Sequence, residues 1–398
     1  MFQCFQADFS RYKDTSFINL NNGSSGLCPA VVIDQQKAEL EAFERNTSWS
    51  LGSSWSRIWK IQEGLGDFLG ASPRDLFLRP NVTLALNEII MGLPLPPGSE
   101  ILSTNFEYGA VVNILKYKAS KEGHSLRIEN IDFLYQDISI QDAVDLLIGL
   151  TSPKTRVLVI SHIFTGNGIE IPLKQLAKKL QEKGILLVVD GAHAPGLIDL
   201  NFTQDLSEVD YYAGNLHKWF MGPKGTAFGW VNPKHQDKTM PLYASWTTEK
   251  DVPPAMQKYA THGEFPTRML WSHSQSFSSY YGLESCFAFW KTHSKKTIFQ
   301  EIQNRINYLE NELQALGLKP TKKLQSPSKD QIKARLLCFK LSDFPKISLS
   351  DLFVKSKHVD LQVGLPRVPG NALLRLTPHI HNSQEELQQA IEILREQI

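Results

Sequence analysis

The chain has 398 residues, 42% of them hydrophobic and 21% charged, and its 42 Lys plus Arg balance 41 Asp plus Glu for a net charge of +1. That length allows two domains around a sizeable core, and the charge balance leaves no global field to draw in nucleic acid or an anionic membrane. The four cysteines (Cys4, Cys28, Cys286, Cys338) are scattered without CxxC spacing, which excludes a disulfide framework or a zinc site as the basis of the fold. No run has the apolar length of a membrane span. The first ten residues lack the charged-then-apolar order of a secretory signal. A cytoplasmic protein is therefore expected, in which the triplet Asn46-Thr47-Ser48 carries no glycosylation.

Early in the chain Trp49, Trp55 and Trp59 cluster ahead of a helical stretch and read as packing or as the lining of a substrate entrance. From about residue 75 to 231, short apolar runs alternate with amphipathic ones. The strand-like runs are Asp75–Leu78, Glu100–Ser103, Ser125–Glu129, Arg156–Ser161, Ile185–Asp190, Tyr211–Gly214 and Thr226–Val231. Helical patterns such as Val82–Met91, Ala110–Lys121 and Leu173–Lys183 lie between them. This alternation predicts an α/β layer with a largely parallel sheet, and the unbroken apolar run Ile185–Val189 fits a strand covered on both faces. Thr247–Ser279, polar and aromatic, is expected to be a long functional loop. A long helical pattern extends from Tyr280 to Leu316. The chain then closes with a small α+β unit: strands near Ala334–Leu341, Val359–Val363 and Ala372–Leu376, a helix near Ser350–Lys355, and a last helix opened by the capping box Ser383-Gln384-Glu385-Glu386. The expected division is a segment 1–30 packing with the small unit, a large domain 31–279 and a small domain 280–398.

Two segments carry the chemistry. Ile185-Leu186-Leu187-Val188-Val189-Asp190-Gly191-Ala192-His193 ends an apolar strand on a carboxylate, where ligands of open α/β sheets bind. Asn215-Leu216-His217-Lys218-Trp219-Phe220 sets a lysine among aromatic neighbours that can desolvate its amine, as a Schiff-base lysine requires. The plain alternatives are a turn-capping Asp190 and a surface Lys218. Arg79-Pro80-Asn81-Val82-Thr83 joins a strand to a helix whose N-terminus can hold an anion, although Thr83 is equally suited to a simple N-cap. His379 and His381 look like a metal pair without a third ligand, and Gly166-Asn167-Gly168 is not a dinucleotide fingerprint.

In order and spacing these segments resemble the class V aminotransferase family, and in particular its isopenicillin N epimerase-like branch. The resemblance runs from Leu20-Asn21-Asn22-Gly23-Ser24-Ser25-Gly26-Leu27-Cys28-Pro29 to Arg375. It implies a pyridoxal 5′-phosphate (PLP)-dependent transferase fold of type I: a large domain with a mostly parallel seven-stranded sheet, plus the small α+β domain. It also implies roles for individual residues. Lys218 forms the Schiff base and moves the α-proton, and Asp190 pairs with the ring nitrogen to keep the ring an electron sink. His193 and Thr165 lie near the ring hydroxyl. Val82, Thr83, Asn215 and His217 serve the phosphate. Tyr108 covers the ring, its alternative being a packed core tyrosine. Arg375 takes the substrate α-carboxylate as a bidentate fork, with Asn22 beside the substrate. Thr267 reaches the phosphate of a partner subunit, which implies a homodimer with shared sites.

An amino acid is the implied substrate, and the step after α-proton removal decides the reaction. Epimerisation comes first, with Tyr108 as the second acid. Carbon–sulfur β-lysis or transamination is the alternative, and a non-catalytic PLP-binding protein is the reading from a different class. Cysteine desulfuration is disfavoured because Lys357–Leu374 lacks a cysteine.

Overall fold

The computed structural model describes all residues except 1, 4, 250, 271–274, 325–329, 348–358, 361 and 365–371, and side chains of 359–364 are likewise not described. Its centre is a seven-stranded sheet of β1 (Leu76–Arg79), β2 (Glu100–Thr104), β3 (Ser125–Glu129), β4 (Thr155–Ser161), β5 (Leu186–Asp190), β6 (Tyr211–Asn215) and β7 (Ala227–Val231). Their order across the sheet is β1-β7-β6-β5-β4-β2-β3. Only β7 runs against its neighbours; the other pairings are parallel. All seven expected strands are present, with ends shifted by a residue or so.

Alternation along these strands divides the core in two. Val157, Val159, Val188, Tyr211 and Ala213 face helices Val82–Gly92 and Gly109–Glu122. Leu158, Ile160, Leu187, Val189 and Tyr212 point the other way, toward a cluster that includes Leu173, Leu176 and Leu180 of helix Leu173–Glu182. Successive strand side chains leave opposite faces, so a strand that must be apolar on both sides reads as a continuous apolar run.

Three expectations change. The tryptophans do not precede a helix but lie in one, Thr47–Leu69, capped by Asn46 and closed at Gly70 in the left-handed conformation. Trp55 and Trp59 are buried there, while Trp49 is 72% exposed on the first turn. The segment Thr247–Ser279 is not wholly irregular, since it forms short helices at Gln257–Ala260 and Glu264–Arg268. The pattern Tyr280–Leu316 is two helices, Ser278–His293 and Lys295–Ala315. Ser294 breaks them at φ +63° and caps the second through Thr297 N.

At the C-terminal end, Gln362–Gly364, Leu373–Leu376 and Leu337–Lys340 form a three-stranded antiparallel sheet. Val359–Asp360 pairs instead with Ile18–Asn19. The Ser383/Glu386 capping box opens the final helix, Gln384–Arg395. The helix expected near Ser350–Lys355 falls outside the described residues.

Candidate active site

Parallel strands put their carboxyl ends on one edge of the sheet, and there β5 delivers Asp190 and the turn after β6 delivers Lys218. Lys218 begins a tight turn: Met221 N–H donates to its carbonyl at 3.0 Å, and Gly222 N–H to Leu216 O at 2.7 Å. Met221 adopts a positive φ of 63° in this geometry, a conformation unusual for a residue with a side chain. The N-terminal motif packs directly on that turn. Gly26 N–H donates to His217 O at 2.9 Å, and a Cβ on Gly26 would lie 2.0 Å from Lys218 O, so only glycine fits.

Burial, with Arg375 nearby and Asp190 partly opposing, brings the Lys218 ammonium down to about 7. A neutral amine is therefore within reach at physiological pH. Burial raises the Asp190 carboxyl, offset by Ala192 N–H donating to Oδ1 at 2.9 Å and by the Lys218 charge. His193 Nε2 lies 3.0 Å from Thr165 Oγ1 and 3.3 Å from Lys218 Nζ, and burial beside Lys218 and Arg375 holds its ring neutral.

Arg375, on strand Leu373–Leu376, is 1% exposed. Its Nη1 donates to Thr165 O (2.8 Å) and Oγ1 (2.9 Å), and its Nη2 to Ser24 Oγ (3.1 Å) and, at 3.5 Å, Asn21 Oδ1. Its Nε is buried and has no partner. Gly23 allows this approach, because a Cβ there would sit 3.0 Å from Nη2. Burial lowers the guanidinium to about 10, with the Cys338 and Tyr108 charges opposing that shift. Tyr108 is no core residue: it is 52% exposed at the head of helix Gly109–Glu122.

At the other end, helix Val82–Gly92 is capped by Asn81, whose side chain accepts from Leu84 N, so Thr83 is not the cap but an exposed first-turn residue. Val82 N–H already donates to Asn215 Oδ1 at 3.0 Å, and His217 Nδ1 lies 3.2 Å from Thr226 O. Val82, Thr83 and Asn215 thus share one helix start. Two expected residues stand differently. Asn22 is fully buried, with Nδ2 bonded to Thr377 O and Asn19 O and Oδ1 bonded to His381, so it braces the wall around Arg375 and offers no free donor. Thr267 is buried, and its hydroxyl donates to Gly263 O at 2.7 Å within its own helical turn.

Sequence reasoning missed Glu107 and gave Ser24, inside the opening motif Leu20–Pro29, no role of its own, since its meeting with Arg375 spans 351 positions. Glu107 sits beside Tyr108 and takes Ser161 N–H, Ser161 Oγ–H and Thr104 Oγ1–H; burial, with Asp190 adding to it, lifts its carboxyl to about 8. Among the described residues no group of three metal ligands exists. His379 and His381 are buried hydrogen-bonding residues, bonded to Trp219 O and Asn22.

A desolvated amine, a buried carboxylate at a strand end, a helix start and an arginine with an orphaned Nε together form the candidate site. Residues 18–389 match the model of the class-V aminotransferases, and the chain belongs to that family. Its cofactor is PLP, which the set of donors and charges just described fits. The chain is 32% identical over 241 residues to isopenicillin N epimerase of Streptomyces clavuligerus, covering 59% of this chain and 58% of that one. It is 26% identical over 242 residues to a probable chloroplastic L-cysteine desulfhydrase of Arabidopsis thaliana, covering 56% and 49%. The matches thus span about half to three-fifths of these relatives. Among solved structures, the cystine C–S lyase C-DES superimposes with a TM-score of 0.79 at 21% identity, over 98% of this chain and 99% of that one, which shows the shared fold.

Proposed function

We propose that this enzyme epimerises or racemises an amino acid at its α-carbon. The reading is supported by one observation: His193 and Thr165 link the Lys218 amine to the Arg375 guanidinium through contacts of 2.9–3.3 Å, so a proton-carrying group lies near the cation that would hold a carboxylate. PLP supplies the electron sink for the α-carbon when bound. With PLP bound, Asp190 would stabilise the protonated ring nitrogen by a charge-assisted contact, and His193 and Thr165 would attend the ring hydroxyl. Val82, Thr83, Asn215 and His217 would hold the phosphate. Arg375 would fix the α-carboxylate, Lys218 would take the α-proton, and the Tyr108 phenol would return one. Lys218 is suited to this because its pKa of about 7 leaves a large share of its amine neutral at that pH.

The second reading is carbon–sulfur β-lysis, favoured by the likeness to the desulfhydrase. Transamination would need a keto-acid acceptor. A desulfurase using a thiol nucleophile finds no support in Cys28, Cys286 or Cys338, which are buried with their thiols raised. We also propose a homodimer with shared sites. Exposed Trp49, Tyr243 and Trp246 supply apolar surface for it. We place the enzyme in the cytoplasm; among the described residues no helix is long and apolar enough to cross a membrane. Residues 31–279 and 280–398 are proposed as large and small domains, with 1–30 joined to the latter.

The test is incubation of the PLP-loaded enzyme with L-amino acids and cysteine conjugates in heavy water, with products read by NMR and chiral analysis. Deuterated product of mixed configuration is expected, and Tyr108→Phe should keep α-proton exchange while losing inversion. A keto acid with released thiol would establish the lyase instead. PLP binding with no α-exchange would mark a non-catalytic binder.

A further inference from the structure

His193 is held from two sides. Trp219 Nε1 lies 3.4 Å from His193 Nδ1, while His193 Nε2 faces Thr165 Oγ1 and Lys218 Nζ. An indole N–H can only donate, so Nδ1 must present a lone pair. A neutral imidazole has one ring proton, and here it must sit on Nε2. Burial disfavours a second proton on the ring, and the charges of Lys218 and Arg375 add to that.

Trp219 is itself clamped. It is completely buried, and its carbonyl lies 3.0 Å from His379 Nε2. His379 Nδ1 accepts from Ile380 N–H at 2.9 Å, which fixes the proton of that ring on Nε2 and makes it the donor to Trp219 O. The two rings pack at 5.8 Å and 32°. The donor sequence therefore runs in one direction, from His379 to Trp219 and from Trp219 to His193. It ends at the corner where Thr165 Oγ1 also takes Arg375 Nη1.

We propose that Trp219 is a positioning residue that locks His193 in the Nε2–H tautomer, making this histidine a fixed hydrogen-bond donor toward Thr165 and the cofactor, and toward Lys218 only when that amine is neutral, and never a base. The opposite tautomer would set two N–H groups against each other at Trp219 and turn a lone pair toward the Arg375–Thr165 corner. Bulk alone does not explain a tryptophan here, because phenylalanine would fill much of the same volume without donating.

The test uses the full chain with isotope-labelled histidine, first without cofactor and then loaded with PLP, and no substrate in either state. Long-range proton–nitrogen NMR reads the protonation of each ring nitrogen, and His193→Gln identifies the signal. The expected result is a single state, protonated at Nε2 and bare at Nδ1, unchanged across neutral pH. In Trp219→Phe the single state should give way to mixed tautomers, and the pH midpoint of the bound cofactor's absorbance should shift. A protonated Nδ1 or a charged ring in the unmodified chain would overturn the proposal, as would a folded Trp219→Phe with an unchanged tautomer. If that variant does not fold, the spectrum of the unmodified chain still decides. The inference rests on the site as a PLP site but not on the reaction, and its readout needs no turnover.

Discussion

The floor of the site and its wall are assembled in different ways. The floor consists of Asp190, the last residue of β5, and Lys218, just beyond its parallel neighbour β6, and each residue is positioned by the run that precedes it. The wall is built from segments far apart in the chain: Arg375 reaches Thr165 across 210 positions and Ser24 across 351. Strand ends are placed by the regular geometry of a parallel sheet, so floor residues inherit their position. Wall residues depend on close packing at glycines and on buried hydrogen bonds, where small changes are felt strongly. Damage to the floor should therefore remove chemistry with the fold kept, whereas damage to the wall should disturb both.

The largest expected effect tests the floor. Lys218→Ala should cut turnover by about 10²–10⁴-fold, the scale of a removed proton-transfer group, with unfolding stability little changed. Steady-state rates and a urea melt would check this, and near-normal turnover would remove Lys218 from the mechanism. Next is the wall. Arg375→Lys keeps a charge but loses the planar fork, and removing a charge-assisted bond of about 1.5–3 kcal/mol should lower kcat/KM by about 10–100-fold. The loss should vanish for an analogue without the α-carboxylate. An equal loss for that analogue would mean that Arg375 acts only on the fold.

A pair of glycines sharpens the contrast in stability. Gly26→Ala forces a Cβ into Lys218 O and should destabilise by about 1–3 kcal/mol while weakening PLP binding. Gly52→Ala lies in an open part of helix Thr47–Leu69 with nothing within 4 Å. It should be neutral or stabilise by up to about 1 kcal/mol. Urea midpoints for the two variants decide the comparison.

A further prediction concerns pH dependence. The Lys218 pKa in the folded chain, about 7, lies below its ordinary 10.5. Covalent capture of PLP by the cofactor-free protein should therefore rise with pH and level off above about 7. Between these two pKa values the unfolded chain holds a proton that the folded one has released. This group's contribution to stability accordingly increases with pH through that window and is least below it. Lys218→Met should flatten that part of the stability–pH curve.

Some of this was legible in the chain alone. The central strands announced themselves because a two-sided core demands apolar runs, unlike the unburied edge strand Ser125–Glu129, and Asp190 was marked by ending one of them. The Ser383/Glu386 cap was legible because its two hydrogen bonds are local. The helix holding Trp55 and Trp59 was obscured by its run of serines and glycines, and the break at Ser294 by helical patterns on both sides. Glu107 gave no local sign, since its carboxyl is raised by burial and by Asp190, against the lowering hydrogen bonds of Ser161, and both partners lie on strands distant in the chain.

The sequence by itself determined the α/β alternation and, by resemblance, the PLP family, and it nominated Asp190, Lys218 and Arg375 as the polar groups of the proposed site. Each of these is written in short-range patterns of apolar runs, turns and motif spacing. Only the tertiary structure decided that Gly23 and Gly26 press against Arg375 and Lys218, that Tyr108 stands half-open, and that Asn22 is enclosed. It also decided that Trp219 donates to His193. Those outcomes depend on contacts between distant segments and on the burial those contacts create, and neither is encoded in any one stretch of the chain.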